Sequence, residues 1–264
     1  MSETPEPEWT YQWERFRNEE DFLLSEWIAP NTLESLTGER VLEAGCGGGD
    51  HTRKIAPYCR ELVAVDLSTA DLARRLSPGL ANVEFVAGDL ATIDFDERFD
   101  TVLSIGVVHH TSDPDLTVAN LKRLVRPGGR LVLWVYAREG NRLVRHLVER
   151  PRKLVLRHLP RASLLGLSWA LGAGITPIAW SLYRLPLPAL PYYEYMGNWR
   201  RLGLKRNVAN VFDKLNAPQT TFISQQRAQS WAADPDFRLT HLSNYMGVSW
   251  RITLERSSRS SEQS

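Results

Sequence analysis

The sequence predicts an α/β protein whose central sheet is mostly parallel and covered by helices on both faces. Three observations predict it. Between Arg40 and Tyr136, short apolar runs alternate with helical segments at a regular pace. The apolar runs are continuous rather than alternating, as strands buried on both sides should be. A glycine-rich turn closes the first run, at the carboxyl end of a strand, where open parallel sheets hold ligands.

The elements follow in order. Trp13, Phe16, Phe22, Leu23 and Trp27 recur at roughly helical spacing between Trp9 and Glu34, and Pro30 ends that segment. Arg40 to Ala44 is a short buried strand. After the glycines a helix runs from His51 towards Tyr58. Glu61 to Leu67 is a second strand. Ser68-Thr69 caps a helix that Pro78-Gly79 halts. Val83 to Ala87 and Phe99 to Ile105 are further strands. Asp113-Pro114 starts a helix through Arg126, and Arg130 to Tyr136 is the fifth strand. The alternation then breaks. It resumes with a helix from Ser224 to Ala233 and strands over Phe237–Asn244 and Val248–Glu255.

The chain thus divides into a core over 9–137, an insertion or lid over 138–222 and a return to the core over 223–256, with disordered tails expected at 1–8 and 257–264. With 264 residues, 43% hydrophobic, a packed core is expected. The two cysteines, Cys46 and Cys59, make no disulfide framework or metal site, which suits a reducing cytoplasm. The N-terminus has no secretory signal pattern.

The turn reads Val41-Leu42-Glu43-Ala44-Gly45-Cys46-Gly47-Gly48-Gly49-Asp50. Glycine tolerates positive φ and lets a ligand approach the backbone. A dinucleotide fingerprint needs a third glycine where Asp50 stands, and a pyrophosphate would sit badly between Glu43 and Asp50. This counts against a nicotinamide-dependent oxidoreductase. The ligand should prefer negative neighbours. There is no phosphate-binding P-loop and no G-x-S-x-G nucleophile motif.

VLEAGCGGGD, VAVDLS, VAGDL, FDTVLSIGVVHH and LVRPGGRLVLWVY, taken in order from Arg40 to Tyr136, resemble the successive motifs of class I S-adenosylmethionine-dependent methyltransferases. The resemblance implies a Rossmann-like, seven-stranded sheet whose last two strands are antiparallel to each other, with the cofactor across the strand tips. It implies that Glu43, Gly45, Cys46, Gly47 and Gly49 surround the methionine end of S-adenosylmethionine. Asp66, with Leu67, would take the ribose hydroxyls, Asp89 and Leu90 the adenine, and Ile105 and Gly106 would pass beneath. The bland readings are a helix-dipole partner for Glu43, a helix cap for Asp66 and a turn acid for Asp89. Three acids at three strand tips favour a shared ligand. A sulfonium and an ammonium suit these acids, and no metal is called for.

Methyl transfer from a sulfonium needs mainly alignment of the acceptor. An oxygen or nitrogen acceptor also needs a base, and His109 and His110 follow the fourth strand where it would approach. The pair recurs in the resembling family across different substrates, so it names no acceptor.

The insertion has its own character. Eight basic and two acidic residues lie between Arg138 and Arg161, an excess of six positive charges against +1 for the whole chain. Ala162 to Tyr183 then carries no charge. It is long enough for a membrane span but interrupted by three glycines and Pro177, so it reads as a helical hairpin that dips into one leaflet or covers the site. The stretch 138–191 suits an anionic membrane surface, a lid over a lipid-like acceptor, or an ordinary helical cap. Asp213 and Asn216 read as turn residues. The function expected is methylation of a small or lipid-linked acceptor. The alternatives are a non-catalytic cofactor-binding scaffold and an RNA methyltransferase. The latter is disfavoured because the arginines neighbour an apolar run rather than spaced stacking aromatics.

Overall fold

The computed structural model describes residues 8–17 and 20–258; of the tails expected at 1–8 and 257–264, residues 1–7 and 259–264 lie outside the described residues, and Glu8 begins a helix. Seven strands form one sheet: β1 (Arg40–Ala44), β2 (Glu61–Asp66), β3 (Val83–Ala87), β4 (Phe99–Ile105), β5 (Val125–Tyr136), β6 (Phe237–Tyr245) and β7 (Ser249–Arg256). Their spatial order is β3-β2-β1-β4-β5-β7-β6. β1 to β5 pair in parallel, and β7 runs antiparallel to both β5 and β6.

The continuous apolar runs are explained by burial on both faces. Leu42, Val63, Val102 and Leu131 share one core with Val118 and Leu121. Their immediate neighbours Val41, Leu62, Leu103 and Val132 enter a second core with Leu24, Ile28 and Ile55. Helices α1 (Glu8–Arg15), α2 (Asp21–Ile28), α3 (Asp50–Ile55), α4 (Ala70–Leu76) and α5 (Pro114–Leu124) precede β5. At the start of α5 the Asp113 carboxylate accepts from the amides of Asp115 and Leu116, and Pro114 takes the first helical position, where a missing N–H costs nothing.

Between β5 and β6 lie α6 (Arg142–Val144), a π-turn (Arg145–Glu149), α7 (Arg150–Leu154), α8 (Arg161–Ser181), α9 (Tyr193–Trp199), α10 (Leu204–Asn216) and α11 (Gln225–Ser230). This segment is stitched to the sheet at its root. The Asn141 amide donates to the carbonyls of Ala137 and Val248, and Ile223 exchanges backbone bonds with Tyr136 and Arg138.

Several expected elements are corrected. The N-terminal segment is two helices rather than one. β5 begins at Val125, because Pro127-Gly128-Gly129 sits in a register shift of the strand and not in a loop before it. Ala162–Tyr183 is no hairpin: α8 is a single 21-residue helix that continues through Pro177. Its small residues make this packing possible, since a Cβ on Gly172 would meet Val208 of α10 at 2.7 Å.

Candidate active site

The sheet reverses its order between β1 and β4, and the loops after these strands flank the crevice where α/β sheets hold ligands. A cavity of about 560 Å³ opens there. Its floor is the turn Gly45–Gly48 together with Asp66, Ile105 and Gly106. One wall comes from the N-terminal helices through Trp9, Gln12, Trp13 and Trp27, and the roof from α8, α9 and α10.

The turn must be glycine. Gly45 has φ +95° and an added Cβ would lie 2.2 Å from Val107; Gly47 has φ +54° and its Cβ would lie 2.8 Å from Trp13. Asp66 holds the turn in place: Oδ2 accepts from the Gly47 amide at 3.0 Å, and Oδ1 from the amides of Ser68 and Thr69. Asp50 pairs with Arg17 at 2.9 Å and with Arg53.

Glu43 lies beneath the turn rather than in the cavity lining. Thr52 donates to its Oε2 at 2.5 Å, while Oε1 is buried without a hydrogen-bond partner among the described residues. Burial, reinforced by the Asp66 and Asp50 charges and opposed by the Thr52 bond, pushes its carboxyl up to about 8. An orphaned carboxyl oxygen below a bare backbone turn fits a cationic ligand, which would favour the ionised form. Cys46 lines the cavity, but burial pushes its thiol well above the ordinary range, so it is no nucleophile.

The remaining expected cofactor residues separate. Gly49 precedes α3 in a left-handed conformation, facing Ser77 and not the cavity. Leu67 is 70% exposed. Asp89 is also exposed, and its Oδ1 accepts from the Ala91 amide of its own turn, while Leu90 belongs to the sheet core.

The two histidines part company. His109 is fully buried against Tyr136, with ring centroids 4.2 Å apart, and neither of its ring nitrogens has a hydrogen-bond partner among the described residues. Burial pushes its pKa well below the usual value. His110 lines the cavity. Its Nδ1 lies 2.8 Å from the Gln219 carbonyl, which can only accept, so Nδ1 carries the proton and Nε2 the lone pair. Burial lowers its pKa, against the opposing influence of Asp213 and the Gln219 carbonyl. A neutral imidazole with a fixed tautomer is equipped to accept a proton at pH 7.

Asp213, expected in a turn, instead lies in α10 and lines the cavity. It accepts from Tyr136 Oη at 2.9 Å and Gln12 Nε2 at 3.2 Å. Burial works to raise its pKa, but His110, Lys214 and these hydrogen bonds outweigh it and hold the carboxylate below its usual value. Lys214 lies over the rings of Tyr136 and Tyr195. Asn216, the other residue expected in a turn, ends α10 and donates to the Glu8 carbonyl. Sequence reading missed Trp9, Gln12, Tyr136 and Lys214. The one available signal was Ala209, Asp213 and Asn216 at i, i+4 and i+7, which puts a carboxylate on a largely buried helix face.

Residues 42–133 match the family described as "Methyltransferase domain". Residues 42–133 form a class I S-adenosylmethionine-dependent methyltransferase domain. Among curated relatives of this methyltransferase domain, a ubiquinone biosynthesis O-methyltransferase of Mesorhizobium japonicum is 34% identical over 140 residues, 51% of this chain and 55% of that protein. Nodulation protein S of Rhizobium tropici is 33% identical over 106 residues, 38% of this chain and 44% of that protein. The chain thus matches about half the length of these relatives. A solved S-adenosylmethionine-dependent methyltransferase from Aquifex aeolicus shares the fold, with a TM-score of 0.53 at 12% identity over 94% of this chain and 98% of the other. The lid lies outside the matched domain.

Proposed function

We propose that this protein transfers a methyl group from S-adenosylmethionine to an oxygen or nitrogen of a small or lipid-linked acceptor. One observation carries the reading: a single cavity is lined by the glycine turn and Asp66 on one side and by His110 and Asp213 on the other. The named relatives, a ubiquinone biosynthesis O-methyltransferase among them, support a small acceptor.

The division of labour follows the chain. Gly45, Cys46, Gly47, Ile105, Gly106 and Asp66 hold the donor, with Glu43 beneath them compensating its positive charge. Gly49, Leu67, Asp89 and Leu90 shape the strand-tip loops around that site. S-adenosylmethionine, when bound, supplies an electrophilic methyl group on a sulfur that leaves as a neutral thioether. His110 Nε2 receives the proton that the acceptor releases as its bond to the methyl carbon forms. His109 packs behind it and holds the ring stack. Trp9, Trp134 and Tyr136 exclude water, and alignment inside such a site is worth roughly 7–11 kcal/mol in well-oriented systems. The core over 9–137 and 223–256 carries this chemistry, and the lid over 138–222 encloses the acceptor. The setting proposed is the cytoplasm, with the lid touching an anionic membrane surface through 138–191. Two free, buried cysteines suit that compartment.

The test is transfer of radiolabelled methyl from the donor into aqueous and organic extracts of cells. Wild-type protein should label a discrete compound and His110→Asn should not. No labelled compound in either extract would contradict the proposal.

A further inference from the structure

The outer surface of the lid inverts the usual pattern of a soluble helix. α8 buries only a narrow stripe, Leu164, Ser168, Gly172 and Ala179. Leu165, Leu167, Ile175 and Thr176 are half-buried; most of the remaining surface is apolar or hydroxyl-bearing and exposed, with no charge between Arg161 and Arg184. Trp169, Ile178 and Trp180 are all exposed, the last by 54%. Leu143, Leu154 and Val155, in the segment before α8, are exposed as well. Water-facing helices of soluble monomers do not carry patches of this extent without a partner. Around the patch Arg142, Arg150, Lys153 and Arg184 are exposed, a cationic margin matching an anionic surface. α8 is long and apolar enough to cross a membrane, yet its small-residue stripe is packed on α10, so it is held along a surface.

Two residues belong to both the inside and the outside. Leu147 and Leu171 line the cavity and are also 69% and 40% exposed. The cavity lining therefore reaches the surface at these two apolar side chains.

We infer that the lid docks on an anionic bilayer and that the acceptor is an amphiphile which passes from the bilayer between Leu147 and Leu171 into the cavity, head group first. For the chemistry inside the cavity, this rests on the methyl-transfer reading. The head carries the nucleophile to His110, and the tail stays among Leu147, Leu171 and Ile175. A water-soluble acceptor would gain nothing from an apolar mouth. An amphiphile in the bilayer moves from one apolar surface to another without exposing its tail.

Three measurements test this together. Vesicles of phosphatidylcholine with 30% phosphatidylglycerol should sediment wild-type protein at least tenfold more than vesicles of phosphatidylcholine alone. Ile178→Glu/Trp180→Glu should lose that difference while binding S-adenosylhomocysteine as wild type does. Brominated acyl chains should quench tryptophan fluorescence in wild type and much less in Trp169→Phe/Trp180→Phe, a variant that adds no charge and so controls for misfolding. The fluorescent amphiphile 11-(dansylamino)undecanoic acid should bind wild type and bind Leu147→Glu/Leu171→Glu at least tenfold more weakly. Equal sedimentation with both vesicle types overturns the inference, as does a stable dimer whose interface covers Trp169 and Trp180. Undiminished amphiphile binding by Leu147→Glu/Leu171→Glu overturns the loading route. Intact S-adenosylhomocysteine binding in any of these cases leaves the methyl-transfer reading standing. Its loss in wild type strikes that reading instead.

Discussion

Tyr136, the last residue of β5, donates its hydroxyl hydrogen to Asp213 of α10 across 2.9 Å, and this bond ties the sheet to the lid above the cavity. Burial pushes the phenol pKa well above its usual value, so Tyr136 remains a donor at any working pH. Asp213→Ala leaves that hydroxyl without its acceptor in a buried place. The expected cost is about 1–3 kcal/mol, read as a lowered thermal midpoint. Tyr136→Phe removes the donor, leaves Asp213 its bond to Gln12, and should cost about 1 kcal/mol. Equal midpoints for Asp213→Ala and wild type would show that the bond does not hold the lid.

With His110 as the proposed base, its protonation should govern the pH dependence of turnover. Its pKa lies below the ordinary histidine value, so kcat/KM should rise with pH along a limb below 6.5 and be flat at neutrality. His110→Asn should lower the plateau by about 10²–10⁴-fold, the usual worth of a positioned base, and abolish the limb. A limb that survives in the variant would assign the proton to another group.

Glu43 sets a stability slope of unusual sign for a carboxylate. The folded protein keeps its proton up to about pH 8, whereas the unfolded chain releases it near 4.5. Between these values the folded state binds more protons, so this group's contribution to stability falls as pH rises through the window. The full effect is on the order of 5 kcal/mol. The half-buried His51 and the buried His109 act oppositely, because the folded state disfavours their protonation. Comparing urea midpoints of wild type and Glu43→Gln from pH 5 to 9 isolates the carboxyl: the variant should gain relative stability towards pH 9. Parallel midpoints across that range would contradict the assignment.

Gly45→Ala should disable the floor of the cavity. The substitution meets Val107 at 2.2 Å and forces a positive φ on a residue with a Cβ. The double variant Gly45→Ala/Val107→Ala removes the two nearest methyl groups but leaves the Val107 Cβ at 2.8 Å and the positive φ, so it should recover only part of the lost stability. Full recovery would mean that space, and not backbone conformation, dictates glycine here.

Strands β1 to β4 were legible to within a residue because two buried faces make a strand a continuous apolar run that any polar turn interrupts. The glycine turn was legible as a turn because a run of glycines at a strand end signals positive φ and close approach to the backbone. β5 was misjudged because Pro127-Gly128-Gly129 reads as a break, although the sheet absorbs it as a register shift. α8 was misjudged because Pro177 and three glycines weigh against a long helix, while packing on α10 rewards those same small residues. The acceptor half of the cavity was the least legible. Asp213 and Tyr136 are 77 residues apart, and Trp9 and Gln12 come from a helix that precedes the sheet altogether. Nothing local marks such residues as neighbours. At Asp89 the sequence did not foretell the bond that the Ala91 amide donates to its Oδ1.

Calorimetric titration with S-adenosylhomocysteine decides whether the turn after β1, held by Asp66, receives the methyl donor. Wild-type protein should bind one equivalent, and Asp66→Ala should bind at least tenfold more weakly, in keeping with about 1–3 kcal/mol for a hydrogen bond to a charged group. Absence of binding by wild type, or an unchanged affinity in Asp66→Ala, would contradict it.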